Sequence, residues 1–250
     1  MLVLIDIGNS TIAIGLSTDG KTIVKKFRIS TGKSRSSDEY AIILDELIEN
    51  ADQAIVASVV PELNEVFRDY FSSRFGFEPI FLASGVKTGI RIFTDTPKEV
   101  GADIIADCVA ASQIYSHTCL IIDMGTATTM TYIENSGIKG VIIAPGLATS
   151  LNALISKASL LPHINLEKPS KLLGTNSPDS IKSGLIYGHA SMVDGLVARV
   201  RKQTGNPDLA VVLTGGNAKI IYPECQAKMT LDEDLILKGL LLVAGMNATK

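Results

Sequence analysis

Two short stretches carry the residue types best suited to chemistry: "LIDIGNST", Leu4 to Thr11, and "IIDMGTATT", Ile121 to Thr129. In each, an apolar β-branched run ends in an acid, Asp6 or Asp123. A glycine follows two residues later, Gly8 or Gly125, and then small hydroxylic or amide residues. Glycine lets backbone approach a ligand closely, and successive amides in a tight turn form a concave anion site. The amides around Asn9, Ser10, Thr126 and Ala127 are therefore suited to phosphate oxygens. The hydroxyls of Ser10, Thr11, Thr126, Thr128 and Thr129 add further donors. A carboxylate beside a phosphate is repelled unless a cation lies between them, so Asp6 and Asp123 imply Mg2+, held through water. Alone, one such turn is an ordinary β-turn sequence; paired in a repeat, the two point to a nucleotide site.

A third stretch, "LTGGNA", Leu213 to Ala218, reads as a strand running into Gly215 and Gly216 before a short helix. A glycine pair there lets an adenine or ribose lie against the backbone, although an ordinary strand-to-helix turn uses the same residues. The fourth is "EVGADIIADCVAASQIY", Glu99 to Tyr115, a helix-forming run with Asp103 and Asp107 one turn apart on one face. Like charges at that spacing repel mildly. Asp103 follows Gly101 and Ala102 at the expected helix start, where an acid caps open amides and suits the helix dipole.

The elements that must position these residues repeat. "LVLIDIGNSTIAIGLST" predicts a β-hairpin and "TIVKKFRIS" a third strand. A helix follows over "EYAIILDELIEN", with Ser37 or Asp38 as N-cap, and then a buried strand from Ala54 to Val60. A helix over "ELNEVFRDYFSSRFG" and a strand at "PIFLA" complete the half. From Cys119 the arrangement restarts with a hairpin, a third strand at "GIKGVIIAPG", helices, and a strand from Asp208 to Gly216 that echoes Asp52 to Val60. A closing helix is expected over "LDEDLILKGLLLVAGMNA". This predicts an α/β protein of two β-β-β-α-β-α halves facing a cleft, residues 1–116 and 117–250.

With 250 residues, 46% hydrophobic and 20% charged, the chain has ample material for a core. A net charge of −3 gives no footprint for nucleic acid or an anionic membrane. The basic stretch from Gly20 to Arg35 reads as a solvated strand edge and loop. Cys108, Cys119 and Cys225 are scattered without metal-ligand spacing and read as thiols in a reducing compartment. His117, His163 and His189 lie in separate segments and read as surface or core residues. No signal sequence and no run long enough to span a membrane is found, so the expectation is a cytoplasmic protein.

At the three phosphate and nucleoside stretches the sequence resembles the acetate and sugar kinase and actin-like ATPase superfamily, whose fold is a duplicated ribonuclease H-like one. Within it, the chain resembles the type III pantothenate kinases along its whole length. The likeness includes "DIGNS", "FRISTGKSRSSDEY", "SVVP", "PKEVGAD", "DMGTATT", "IIAPGL", "ASLLP", "LGTNSPDSIKSGLIYG", "LTGGNA" and "DLILKGLL". The resemblance implies ATP-dependent phosphorylation of the primary hydroxyl of pantothenate, the first step towards coenzyme A. It places Asp6, Gly8, Asn9, Ser10 and Thr11 in the first phosphate motif and Asp123, Gly125, Thr126 and Thr128 in the second. Thr214, Gly215 and Gly216 fall against the nucleoside, and Asp103 takes the position of the general base. A monovalent cation, K+ or NH4+, and a homodimer are also implied, with Gly174 to Ser177 reaching towards the partner's substrate.

Three positions depart from the family pattern, two of them in chemical character. Ile104 stands where Arg is usual directly after the acid of "GAD", and Thr94 stands where Tyr is usual; Ser177 replaces Thr but keeps the hydroxyl. With Gly101 and Asp103, these residues form the expected acceptor site. A lost charge-assisted hydrogen bond costs about 1.5–3 kcal/mol, so weaker pantothenate binding is expected unless another residue compensates. The alternatives are a kinase of the same fold for another small alcohol and a non-catalytic nucleotide-binding paralogue.

Overall fold

The computed structural model describes residues 1–157, 162 and 164–248. Of the stretches above, "ASLLP" apart from its proline, and His163, lie outside the described residues. The chain forms two compact units, Met1–Ile114 together with the last helix, and Tyr115–Asp234.

In the first unit the elements are β1 (Leu2–Ile7), β2 (Thr11–Ser17), β3 (Lys25–Ser30), α1 (Ser37–Leu44), β4 (Gln53–Ser58), α2 (Asn64–Phe75), β5 (Ile80–Phe81), β6 (Arg91–Ile92) and α3 (Ala102–Ile114). The second unit contains β7 (Cys119–Met124), β8 (Ala127–Glu134), β9 (Gly137–Pro145), α4 (Leu147–Lys157), α5 (Ser177–Thr204), β10 (Ala210–Thr214), α6 (Ala218–Ile221) and β11 (Thr230–Leu231); α7 (Leu235–Asn247) follows. The strands of the first unit run in the order β3-β2-β1-β4-β5, and within the second unit the order is β9-β8-β7-β10-β11. The two orders are the same. In each, hairpins supply the antiparallel half, while helical crossovers supply the parallel half. This is a duplicated ribonuclease H-like α/β fold.

Alternation decides where each acid points. On β1, Val3, Ile5 and Ile7 pack with Ile12, Ile14, Tyr40, Phe67 and Phe71 on one face. Leu4 packs on the other with Ala13, Ile55 and Ala57 from the sheet and Ala106, Val109 and Leu240 from the helices α3 and α7. Strands covered on both faces read as continuous apolar runs, and β1 does until Asp6. Asp6, two residues after Leu4, shares the face on which α3 lies. In the second unit Leu120, Ile122 and Met124 join Met130 and the α5 residues Leu185, Ile186 and Val193 in one core. Asp123 belongs to the opposite face of β7.

Two expectations change. The N-cap of α1 is Ser36: its hydroxyl accepts the Glu39 amide at 3.3 Å while the Glu39 carboxylate accepts the Ser36 amide at 2.8 Å. The closing helix, α7, packs in the first unit rather than with the half it follows in sequence. The reason lies at Gly239, where an added Cβ would stand 1.9 Å from the Ala106 carbonyl oxygen of α3. Only a glycine permits helix backbones to approach so closely. Gly239→Ala should therefore destabilise the chain by about 1–3 kcal/mol through overpacking. Gly245→Ala, on the same helix with open space around it, should be neutral or slightly stabilising. Urea denaturation of both variants checks the contrast, and equal effects would contradict it.

Candidate active site

The first turn is built by β1, β2 and the segment after β3. Gly8 donates its amide to the Thr11 carbonyl at 3.0 Å, which closes the turn over Asn9 and Ser10. Thr31 braces it from outside, its hydroxyl donating to the Gly8 carbonyl at 2.7 Å and its amide to the Ser10 carbonyl at 3.1 Å. Asn9, Ser10 and Thr11 are exposed, while Asp6 is half-buried. On the far side, the Val59 amide donates to the Ile7 carbonyl at 3.1 Å, tying the end of β4 to the end of β1.

Asp103 lies in the first turn of α3 within this same unit. Gly101 accepts the Ile105 amide at 3.1 Å, so the helix begins where the sequence places it. A Cβ on Gly101 would stand 2.3 Å from Asp103 Oδ1 and 3.5 Å from Val59 Cγ1. The missing side chain therefore leaves room for the Asp103 carboxylate near the end of β4. Oδ1 accepts the Ile104 amide at 2.8 Å. Burial raises the Asp103 pKa above the ordinary carboxylate value, against the opposing pull of the Ile104 amide and its own. Asp107, one turn on, is buried at 4% exposure. The two acids thus separate: one is half-buried at the helix start and the other inside the fold. Thr94 carries a buried hydroxyl with no hydrogen-bond partner among the described residues, and Ile104 is half-buried.

The second turn is tighter. Thr214 pairs with Asp123 in the parallel β7–β10 register, and Thr129 is the antiparallel partner of Asp123 on β8. Gly215, at φ +96°, follows directly; a Cβ there would stand 2.2 Å from Asp123 Oδ1 and 2.5 Å from the Met124 nitrogen. Asn217 holds the turn, donating its backbone amide to the Met124 carbonyl at 3.1 Å and its side-chain amide to the same oxygen at 3.2 Å. Gly146 supports it from the other side. Its amide donates to the Thr126 carbonyl at 3.1 Å, and a Cβ would meet the Gly125 carbonyl at 2.4 Å. Thr149 donates its hydroxyl to the Thr126 carbonyl at 2.6 Å. Thr126 and Gly216 are exposed.

Thr128 behaves differently from its neighbours. It is 1% exposed, pairs with Met124 on the core face, and its hydroxyl has no hydrogen-bond partner among the described residues. Thr129 is the threonine that shares the face of Asp123. Ser177 is exposed at the start of α5, whose N-cap Asn176 accepts the Asp179 amide at 2.8 Å. An open groove of about 820 Å³ runs beside it, lined by Ser150, Leu154, Thr175, Asn176 and Leu185 among others.

Residues 6–11 and 123–129 contain carboxylate, hydroxyl and amide oxygens and neither His nor Cys. That donor set suits a hard divalent cation which keeps water and phosphate ligands. Gly215 puts bare backbone rather than a side chain beside Asp123 Oδ1, so no side chain at that position covers the carboxylate. Thr31, Gly146, Thr149 and Asn217 were not singled out as site residues from the sequence. The signal for Gly146 and Asn217 was present in "IIAPGL" and "LTGGNA", whose small and amide residues abut the turn.

The repeated sheet order, with an Asp-x-Gly turn at the end of the first strand of each repeat, is the actin-like ATPase fold. Among solved structures, the chain is similar to the (R)-2-hydroxyglutaryl-CoA dehydratase component A of Acidaminococcus fermentans, with a TM-score of 0.57, 16% identity, and coverage of 97% of this chain and 95% of the other. It is also similar to an inorganic polyphosphate/ATP-glucomannokinase from an Arthrobacter species, with a TM-score of 0.52, 14% identity and coverage of 99% of both chains. The sequence model of type III pantothenate kinase matches residues 2–199. A type III pantothenate kinase of Geotalea daltonii is 40% identical, with 99% of each chain covered. The chain belongs to the type III pantothenate kinase family.

Gly215→Ala should displace the Met124–Gly125 turn and lower stability by about 1–3 kcal/mol. A crystal structure of the variant and its urea denaturation check this; an unmoved turn with unchanged stability would contradict it.

Proposed function

We propose that the chain transfers the γ-phosphoryl group of ATP to the primary hydroxyl of pantothenate, giving 4′-phosphopantothenate, with Asp103 as general base. The observation that carries the role of Asp103 is its carboxylate, half-buried beside the space left by Gly101 and on the helix that covers the Asp6 face of the sheet. Family membership supports the reaction, and kinases of this family use ATP with a divalent metal.

In this reading the amides of Gly8 to Ser10 and Gly125 to Ala127, with the hydroxyls of Ser10, Thr11 and Thr126, donate to phosphate oxygens. Thr128 supports the second turn from the core face. Gly215 and Gly216 lie flat against the nucleoside, with Thr214 beside Asp123. Asp6 and Asp123 would hold Mg2+ through water; when bound, it neutralises phosphate charge as the phosphoryl group moves. K+ or NH4+ as monovalent cation, and a cytoplasmic setting, belong to the same reading. Asp103 accepts the proton of the attacking hydroxyl and orients that oxygen. Thr94, with its unused buried hydroxyl, Gly101 and Ile104 line the acceptor side, and Ser177 serves the substrate of a second copy. A homodimer is supported by the exposed apolar side chains of Ile143, Leu154, Leu172 and Leu173, the last 81% exposed, which a second copy would cover.

Asp103→Asn should lower turnover by about 10²–10⁴-fold while ATP affinity stays near that of the unmodified chain. Coupled ADP release together with calorimetric ATP titration checks this, and near-normal turnover would remove Asp103 from the mechanism.

The raised pKa sets two signs. The base must be ionised, so kcat/KM should fall as pH drops through a value above the ordinary carboxylate range. A folded-state pKa above the unfolded one favours the protonated form in the fold, so stability falls as pH rises from the unfolded value through the folded one. Asp103→Asn should thus be at least as stable as the unmodified chain at neutral pH, measured by urea denaturation. A large loss of stability would contradict the burial argument.

A further inference from the structure

The segment between β3 and α1, residues 31–36, belongs to the basic stretch that the proposed reaction leaves unused. Beyond the two Thr31 contacts, Lys33 donates from Nζ to the Asn9 side-chain oxygen at 2.8 Å. The segment is fixed from within by Tyr40, which is fully buried. Its hydroxyl accepts the Gly32 amide at 3.0 Å and donates to the Gly32 carbonyl at 3.2 Å. Arg35 and Lys21 of the same stretch are placed differently. The Arg35 guanidinium sits over the Tyr40 ring at 5.7 Å. Lys21 lies in the β2–β3 loop, which Asp19 organises by accepting the Lys21 and Thr22 amides at 2.8 Å.

Lys33 is exposed and its ammonium rests on the turn that Gly8 closes. An ammonium has three donors and no acceptor; Asn9 takes one, which leaves two for an anion on the same turn. Asp6 ends the strand leading into that turn and repels a polyphosphate, so a cation on the turn offsets an unfavourable charge. We propose that Lys33 contacts the nucleotide directly, its ammonium held by Asn9 and donating to the polyphosphate oxygens of ATP. The proposal rests on the reading of Gly8 to Ser10 as a phosphate turn.

Calorimetric titration of ATP into the full chain tests it, with Lys33→Met, Lys33→Arg and, as a charge control, Lys21→Met. Loss of a charge-assisted hydrogen bond should weaken ATP binding about tenfold or more in Lys33→Met. Lys33→Arg should recover most of the affinity, Lys21→Met should bind as the unmodified chain does, and all three should melt alongside it. Lys33→Met should also weaken ATP binding when Asn9 is already alanine, which a lysine acting only as a prop for Asn9 would not do. Unchanged ATP affinity in Lys33→Met, or an effect that vanishes in the Asn9→Ala background, overturns the proposal and leaves the phosphate turn standing. An unmodified chain that binds no ATP overturns the phosphate reading and Lys33 with it.

Discussion

A carboxylate at the end of a central strand is useful only if its oxygens stay open while the backbone beside it stays rigid. Both units meet this constraint with closely packed glycine backbone, braced by short polar side chains. In the second, Gly215 passes so close to Asp123 and Met124 that any Cβ would strike them. Gly146 presses on Gly125 and Thr126 from the other side with the same economy of atoms. In the first, the Gly8 amide closes the turn and the Thr31 hydroxyl braces it. Fixed amides stabilise charge without reorganising when it arrives, which is what phosphoryl transfer demands of a protein.

The repeated sheet order explains why two such turns exist. Each sheet places its first strand in the middle, flanked by an antiparallel hairpin partner and a parallel strand. The end of that strand is therefore held on both sides, and the acid there is fixed by register. Alternation then sends Asp6 to the face that α3 covers, and α3 carries Asp103. Duplication places the two Asp-x-Gly turns; the proposed base belongs to one copy alone.

Much of this was legible in the sequence because local chemistry and periodicity agree. The Asp-x-Gly turns, the echoing strands and the acid after Gly101 fall where the spacing put them. What was hidden depended on contacts distant along the chain. α7 follows the second half in sequence, yet Gly239 lets it lie against Ala106, and no local pattern reports a backbone approach between such distant segments. Thr128 and Thr129 look interchangeable in "GTATT", but strand alternation buries one and sets the other opposite Asp123. Ser36 supplanted Ser37 and Asp38 as the cap of α1 because Glu39 closes a reciprocal pair with it. Lys33 was indistinguishable from its basic neighbours until the structure set its ammonium on Asn9.

The acceptor side carries the sharpest local question. Ile104 follows the proposed base directly and brings no charge for a carboxylate, while Thr94 offers a buried hydroxyl. A phosphoryl-transfer reaction with pantothenate, Mg2+ and K+, with the product identified by mass and by phosphorus NMR, addresses this directly. The account predicts ATP-dependent formation of a monophosphate ester on the primary hydroxyl of pantothenate. Tight ATP binding with no phosphorylated pantothenate, even at high acceptor concentration, would contradict it.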